Sequence, residues 1–337
     1  MLRRKRFWLG LIITVAFLGF FLARTDFNDI RNAFRDADYP LAFAAIPLYF
    51  VGFWIRTIRW RLLLNPVSRV STRRLYPVVL IGLMTNNIAP ARVGELVRAF
   101  LVGERESMSK STAMGTIAVD RAFDGLTLVA ILGIVTAFSG GHASVRIVGV
   151  ITALLFAAGT AALAGLALLV TARSWLARLL QMLPGHLALK LGDVVDAFLT
   201  GLVAIRSPLV LLKAAMASVA SWLVESSMYW VVGQAFDLDV GIEAYLLIVA
   251  AANLALSLLA SPGGVGPFEF TAKQILLSFG VPSGVATAYS LALHALLLGP
   301  VIIVGFVILS LSQFSLSQIM GISRPSVAPT TAPPVAE

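Results

Sequence analysis

Asp120, Arg121 and Asp124 fall inside an otherwise apolar run, 113–138, long enough to cross a bilayer. A charge at that depth costs roughly 2.5–3.5 kcal/mol on insertion scales, so it needs a partner or a polar cavity. Arg121 and Asp124 are three apart and Asp120 and Asp124 four apart, which puts all of them in one helix sector. One arginine between two carboxylates leaves a surplus negative charge that calls for a cation, a proton or a second arginine. The cluster reads either as an internally paired brace of a helix bundle or as a functional site. Aspartates at this spacing also bind Mg²⁺ in membrane phosphatidyl- and prenyl-transferases, but the further aspartates those enzymes carry are missing.

A second polar group surrounds a break at Pro90-Ala91-Arg92-Val93-Gly94: Asn86, Asn87, Arg92, Glu95 and Arg98. Glu95 lies three residues from each arginine and can brace both guanidinium groups. The planar fork of arginine suits phosphate, and a half-helix beginning near Gly94 points free backbone N–H groups toward the break. Snorkelling by Arg92 and Arg98 at a helix end is the alternative. The other break, Pro262-Gly263-Gly264-Val265-Gly266, carries no charge until Glu269 and Lys273, an i,i+4 pair in a first helical turn. Gly264 and Gly266 permit close backbone approach there, and Pro267 suits an early helical position. Glu225, deep in 208–233, and His294, in the last apolar run, are candidates for a coupling proton. Arg56 and Arg59, near the end of a span, either grip a lipid phosphate or anchor the helix.

Other chemistries find little support. No GxSxG elbow, HExxH or P-loop occurs. His142, His186 and His294 sit in different segments, and there is no cysteine, so neither a metal nor another cofactor is expected. The net charge of +9 is spread in short clusters between apolar runs, which argues against nucleic acid. The chain is 58% hydrophobic and 13% charged over 337 residues, with mean hydropathy +0.90. A soluble domain is nearer half apolar and a quarter charged.

The elements that must position these residues are therefore membrane helices. Six spans are expected, at 7–23, 41–63, 113–138, 147–171, 208–233 and 284–312, the first a retained signal anchor. Basic residues at the amino terminus, after the second span and in 172–206 put those segments and both termini in the cytoplasm of a multi-pass protein of the cell inner membrane. The stretch 24–40 is read as a loop of mixed charge. Two further apolar stretches, 75–90 and 244–260, each run into a break and a short helix, and the sidedness holds only if each is a re-entrant hairpin. Shifting the chain by the distance from Pro90 to Pro262 superposes Val93 on Val265, Gly94 on Gly266 and Ser111 on Ser283. With one hairpin opening inward and the other outward, the expected fold is all-α, six spans plus two broken hairpins in an inverted-topology repeat. The alternative is that both breaks are turns at the membrane surface. Residues 1–322 form one membrane domain, with repeats at about 41–138 and 208–312 and an interfacial amphipathic helix at about 174–205. The tail 323–337 reads as disordered.

The run Asn87 to Arg98, the Asp120-Arg121-x-x-Asp124 that follows, and Ser261-Pro262-Gly263-Gly264-Val265-Gly266-x-x-Glu269 resemble the flippase-like membrane domain of lysylphosphatidylglycerol synthases. The resemblance covers the chain from about the first span to 312. It implies a two-repeat helical fold with re-entrant elements and movement of a modified phospholipid between leaflets. By motif position it points to Arg92, Glu95, Arg98, Asp120, Arg121 and Glu269. The synthases carry a soluble aminoacyl-transferase domain that this sequence lacks, so a stand-alone member without lysyl transfer is expected. Such members serve other lipids too, including glycolipids. The expected function is lipid translocation, with a membrane phospholipid or glycolipid as partner and room for a separate lipid-modifying transferase or an oligomer. A non-transporting accessory to a lipid- or glycosyl-transferase, a membrane-embedded transferase and a small-solute transporter are the alternatives.

Overall fold

The computed structural model describes residues 27–89, 93–138, parts of 154–182, 185–258 and 262–312. The span expected at 7–23 lies outside the described residues, as do most of 147–171, residues 90–92 with Arg92, residues 139–146 and the tail 323–337. Every regular element among the described residues is helical. In chain order these are α1 (Phe27–Asp36), α2 (Tyr39–Ala44), α3 (Ile46–Leu64), α4 (Thr72–Ile88), α5 (Gly94–Arg105), α6 (Lys110–Phe138), α7 (Gly185–Gly201), α8 (Pro208–Ala235), α9 (Ile242–Leu258), α10 (Pro267–Ser278) and α11 (Ser283–Ser310). Short 3₁₀ turns lie at Val203–Arg206 and Pro262–Gly264.

Among the described residues, four helices are long and apolar enough to cross a membrane: the continuous run Tyr39–Leu64, α6, α8 and α11. Their packing inverts the pattern of a soluble helix. On α8 the exposed positions are Leu209, Leu212, Met216, Val219, Leu223 and Trp230, while Ser218, Ser221, Glu225 and Ser226 are buried. The exposed apolar set keeps helical spacing and makes a greasy outward stripe, while the inward face sets small hydroxyls and Glu225 among apolar residues such as Trp222 and Met228. Ser207 caps this helix and Pro208 opens it, as the missing N–H of proline allows.

One expectation is corrected at the amino-terminal side. Within the stretch read as a loop, 24–40, α1 forms over Phe27–Asp36 and packs on α11. The cause is legible in hindsight. Ile30, Ala33, Phe34 and Ala37 recur at helical spacing and meet the core, with Phe34 edge-on to Phe236 at 5.9 Å.

α4 and α5 fold back on each other across the first break. The start of α4 and the end of α5 share one level, where Arg74 Nη1 approaches Glu106 Oε2 at 3.7 Å. At the second break α9 and α10 pair likewise. The residues before α9 (Phe236–Asp239) and after α10 (Phe279–Pro282) line one cavity of about 620 Å³ together with Asp29 and Asp36 of α1. That end of the bundle is acidic. The opposite end, where α3 stops and α8 starts, carries Arg61, Arg69 and Lys213 around a cavity of about 650 Å³.

α3 packs on α8, α4 on α11 and α6 on α9. Exchanging α3 with α8, α4 with α9, α5 with α10 and α6 with α11 reproduces each of these contacts, and also pairs α3–α4 with α8–α9 and α5–α6 with α10–α11. The contact of α7 with α6 then corresponds to that of α1 with α11. Shifted by the Pro90-to-Pro262 distance, α5 and α6 fall within one residue of α10 and α11 at both ends.

Candidate functional site

The buried polar heart of the molecule is built by α3, α5, α6 and α8. Arg59 of α3 is fully buried and its guanidinium spans the two aspartates of α6: Nε donates to Asp120 Oδ1 at 2.8 Å and Nη1 to Asp124 Oδ1 at 2.7 Å. The same Nη1 also reaches Ser218 Oγ of α8 at 2.8 Å. Asp120 Oδ2 accepts from Arg98 Nη2 of α5 at 3.2 Å and from Arg121 Nη2 at 3.0 Å, and Arg121 also pairs with Asp124 Oδ2 at 3.0 Å. The surplus negative charge read from α6 alone is thus met by two arginines from other helices.

Three guanidinium groups meet the two aspartates, and Glu95 of α5 lies near enough to act on Arg98 and Arg121 as a third carboxylate. Arg59 Nη2, Arg98 Nε and Arg121 Nε are buried and find no hydrogen-bond partner among the described residues. Buried donors left unmade are costly, and those on charged groups most of all. Arg121 is the open edge of the cluster, its side chain 38% exposed beside partners that are nearly closed off. Arg98 is further held over the Trp60 ring at 4.2 Å. A buried arginine cluster with spare N–H groups and an open edge at Arg121 suits an anion.

The first break is held from α4. Asn86 Oδ1 accepts from the Gly94 amide at 2.7 Å, and its Nδ2 donates to Glu95 Oε1 at 3.2 Å. Glu95 accepts a hydrogen bond from Asn86, whereas Arg98 turns to Asp120. The close approach of the two arms explains this: a Cβ at Gly82 would lie 2.5 Å from Arg98 Cγ, and one at Gly94 would strike the Gly82 carbonyl. The Asn87 carbonyl faces the second break, 3.1 Å from where a Cβ on Gly263 would stand. The last turn of α4 therefore touches the second break.

In the second break Gly263, Gly264 and Gly266 have φ of 61°, 76° and 98°, conformations that glycine alone takes without strain. Glu269 closes the turn by accepting from the Gly266 amide at 2.7 Å. Its other oxygen lies 2.7 Å from His294 Nδ1, and His294 Nε2 lies 3.0 Å from the Gly263 carbonyl. A carbonyl can only accept, so Nε2 carries hydrogen, and the short Nδ1–Glu269 contact then requires one shared proton between ring and carboxylate. The His294 ring stacks on Phe268 at 4.4 Å. Lys273, one turn beyond Glu269, is buried.

Glu225 and Arg56 form a separate buried pair at 2.6 Å, with Tyr229 Oη donating to Glu225 at 3.3 Å and Asn253 Nδ2 donating to Tyr229 at 3.4 Å. The Arg56 guanidinium lies 3.9 Å over the Trp222 ring. Arg98, Asp120, Arg121, Asp124 and Arg59 thus share one cluster. Glu269 and His294 share another, and Glu225 joins Arg56. Sequence reading did not single out Trp60, Ser218, Tyr229 or Asn253. The run of small hydroxyls Ser218, Ser221 and Ser226 in step with Glu225 was the signal that α8 turns a polar face inward. No group of three or more His, Cys, Asp or Glu residues able to hold a metal occurs among the described residues.

Long apolar helices with lipid-facing outer surfaces and a buried ion-pair core define a multi-pass integral membrane protein. The chain matches, over residues 7–305, the family described as the lysylphosphatidylglycerol synthase TM region, and it belongs to that family. It is 28% identical over 319 residues to a glycosyltransferase AglD of Haloferax volcanii, covering 85% of this chain and 51% of that protein. The chain thus spans about half the length of that relative. Two UPF0104 membrane proteins of Methanothermobacter thermautotrophicus are also similar. One is 24% identical over 299 residues, covering 85% of this chain and 87% of that protein. The other is 34% identical over 119 residues, covering 33% and 35%. No solved structure matches.

Proposed function

We propose that the chain translocates a lipid head group between leaflets, with the phosphate held at the Arg59–Arg98–Arg121 cluster and acyl chains left in the bilayer. The observation that carries this is a buried arginine cluster with unmade N–H groups, opening at Arg121. In this reading α4–α5 and α9–α10 are re-entrant hairpins of an inverted-topology repeat within a six-span fold. The exchange-symmetric packing supports it, as does the start of α4 at the basic end and of α9 at the acidic end. The basic end then faces the cytoplasm of the inner membrane. Broken half-helices meeting at depth are the device by which such repeats cradle a substrate. The arginine cluster and the breaks would act in turn: the phosphate takes up the unmade N–H groups, and release of the Glu269–His294 latch lets the second break move.

Proteoliposomes carrying head-group-labelled phosphatidylglycerol test this, with dithionite reporting the outer leaflet. Arg121→Gln is the variant of choice, because its side chain is the exposed member of the cluster. Flipping is expected to slow at least tenfold with the protein still monodisperse; unchanged flipping refutes the assignment. The likeness to a protein named as a glycosyltransferase favours a second reading, in which the chain serves a separate transferase that modifies a lipid. That reading predicts no flipping by the purified protein, but loss of a modified lipid when the gene is deleted.

A further inference from the structure

The cavity of about 650 Å³ at the basic end shares no lining residue with the buried ion-pair cluster. Arg61, Arg69 and Lys213 line it and, among the described residues, no carboxylate does. Arg61 Nε is buried there without a hydrogen-bond partner among the described residues. Two helix starts also border it, Ser71 before α4 and Leu209 and Val210 in the first turn of α8. Helix starts carry partial positive charge and surplus N–H groups, and Ser71 makes no side-chain cap to its own helix. Three cations and the uncapped start of α4 around one hollow, with no carboxylate among its described lining residues, select an anionic ligand.

The rest of the wall identifies the ligand further. Leu62, Val70 and Leu209 supply apolar surface inside the hollow. From Leu209 the exposed stripe of α8 runs outward through Leu212 and Met216. A free phosphate would use the cations and ignore this track; a phosphate joined to acyl chains uses both. We infer that the cavity is a seat for the phosphate of an anionic lipid in the leaflet at the basic end. The seat is a matter of binding alone and would exist in a protein that moves no lipid.

The test titrates the purified full chain in detergent micelles with short-chain phosphatidylglycerol, phosphatidylcholine of the same chain length, and inorganic phosphate. Binding is read by native mass spectrometry and by the shift in unfolding temperature. Arg69→Gln and Lys213→Gln alter exposed side chains and should fold as the parent does. Each is expected to weaken phosphatidylglycerol roughly fivefold, and the pair about twenty-fivefold, with the difference shrinking as salt rises. Equal affinity in parent and double variant overturns the site. Phosphatidylcholine binding as tightly as phosphatidylglycerol overturns its anion selectivity, and inorganic phosphate matching the lipid overturns the lipid as occupant.

Discussion

Replacing Arg59 with methionine should unfold the bundle rather than merely loosen a lipid. The side chain is wholly buried and makes three hydrogen bonds, two of them to carboxylates. Breaking a buried pair by removing one partner costs about 3–5 kcal/mol, because the other charge stays behind. Here Asp120 keeps Arg98 and Arg121, but Asp124 keeps Arg121 alone among its ion-pair partners. The expected loss is about 3–5 kcal/mol, two to three and a half orders of magnitude in the folded-to-unfolded ratio. Reversible unfolding in mixed micelles, followed through Trp60 and Trp222 fluorescence, measures it. Adding Asp124→Asn to the same chain removes the carboxylate left with the fewest partners. The double variant should recover about 1–3 kcal/mol relative to the sum of the singles. An Arg59→Met protein within about 1 kcal/mol of the parent would refute the ion-pair account and return Arg59 to the role of a lipid anchor, since ordinary surface changes stay near 0.5 kcal/mol.

At the second break, Gly264→Ala should cost about 1–3 kcal/mol, since φ is 76° and the new Cβ would strike Leu256. A change below about 0.5 kcal/mol in the same unfolding assay would count against that strain. Glu269→Gln should keep the latch, because its amide still accepts from Gly266 and can donate to His294, while Glu269→Ala should free it. Faster hydrogen exchange at 263–266 in the alanine variant alone is the expected result, and equal exchange in the two variants would refute the latch.

Much of the bundle was readable because long apolar runs have few alternatives. The expected spans at 41–63, 113–138, 208–233 and 284–312 appear as Tyr39–Leu64, α6, α8 and α11. The cluster on α6 was readable for the same reason, as charges stand out against a hydrocarbon background. Its partners were not. Arg59 meets Asp120 across sixty-one positions and Ser218 across a hundred and fifty-nine, and no local pattern encodes which arginine of α3 turns inward. Arg56 and Arg59 are three residues apart, yet one pairs with Glu225 and the other with the aspartates. Helix α1 was lost to its charges, which masked a four-residue apolar seam. The Glu269–His294 pair was also out of reach, since the spacing of twenty-five crosses a turn.

Where α4 and α5 cross, backbone meets backbone at Gly82 and Gly94, with the Asn86 side chain stitched to the Gly94 amide. The Arg98 stem lies against Gly82 and the Asn86 amide against Gly94, so the arms are in contact through both backbone and side chains. Neither arm can slip along the other without dragging a carbonyl through its neighbour, so the hairpin is stiff as a plate. Any tilt it undergoes must be taken up at its hems, in the short connections 65–71 and 106–109, and the plate would carry Arg98 with it as one piece.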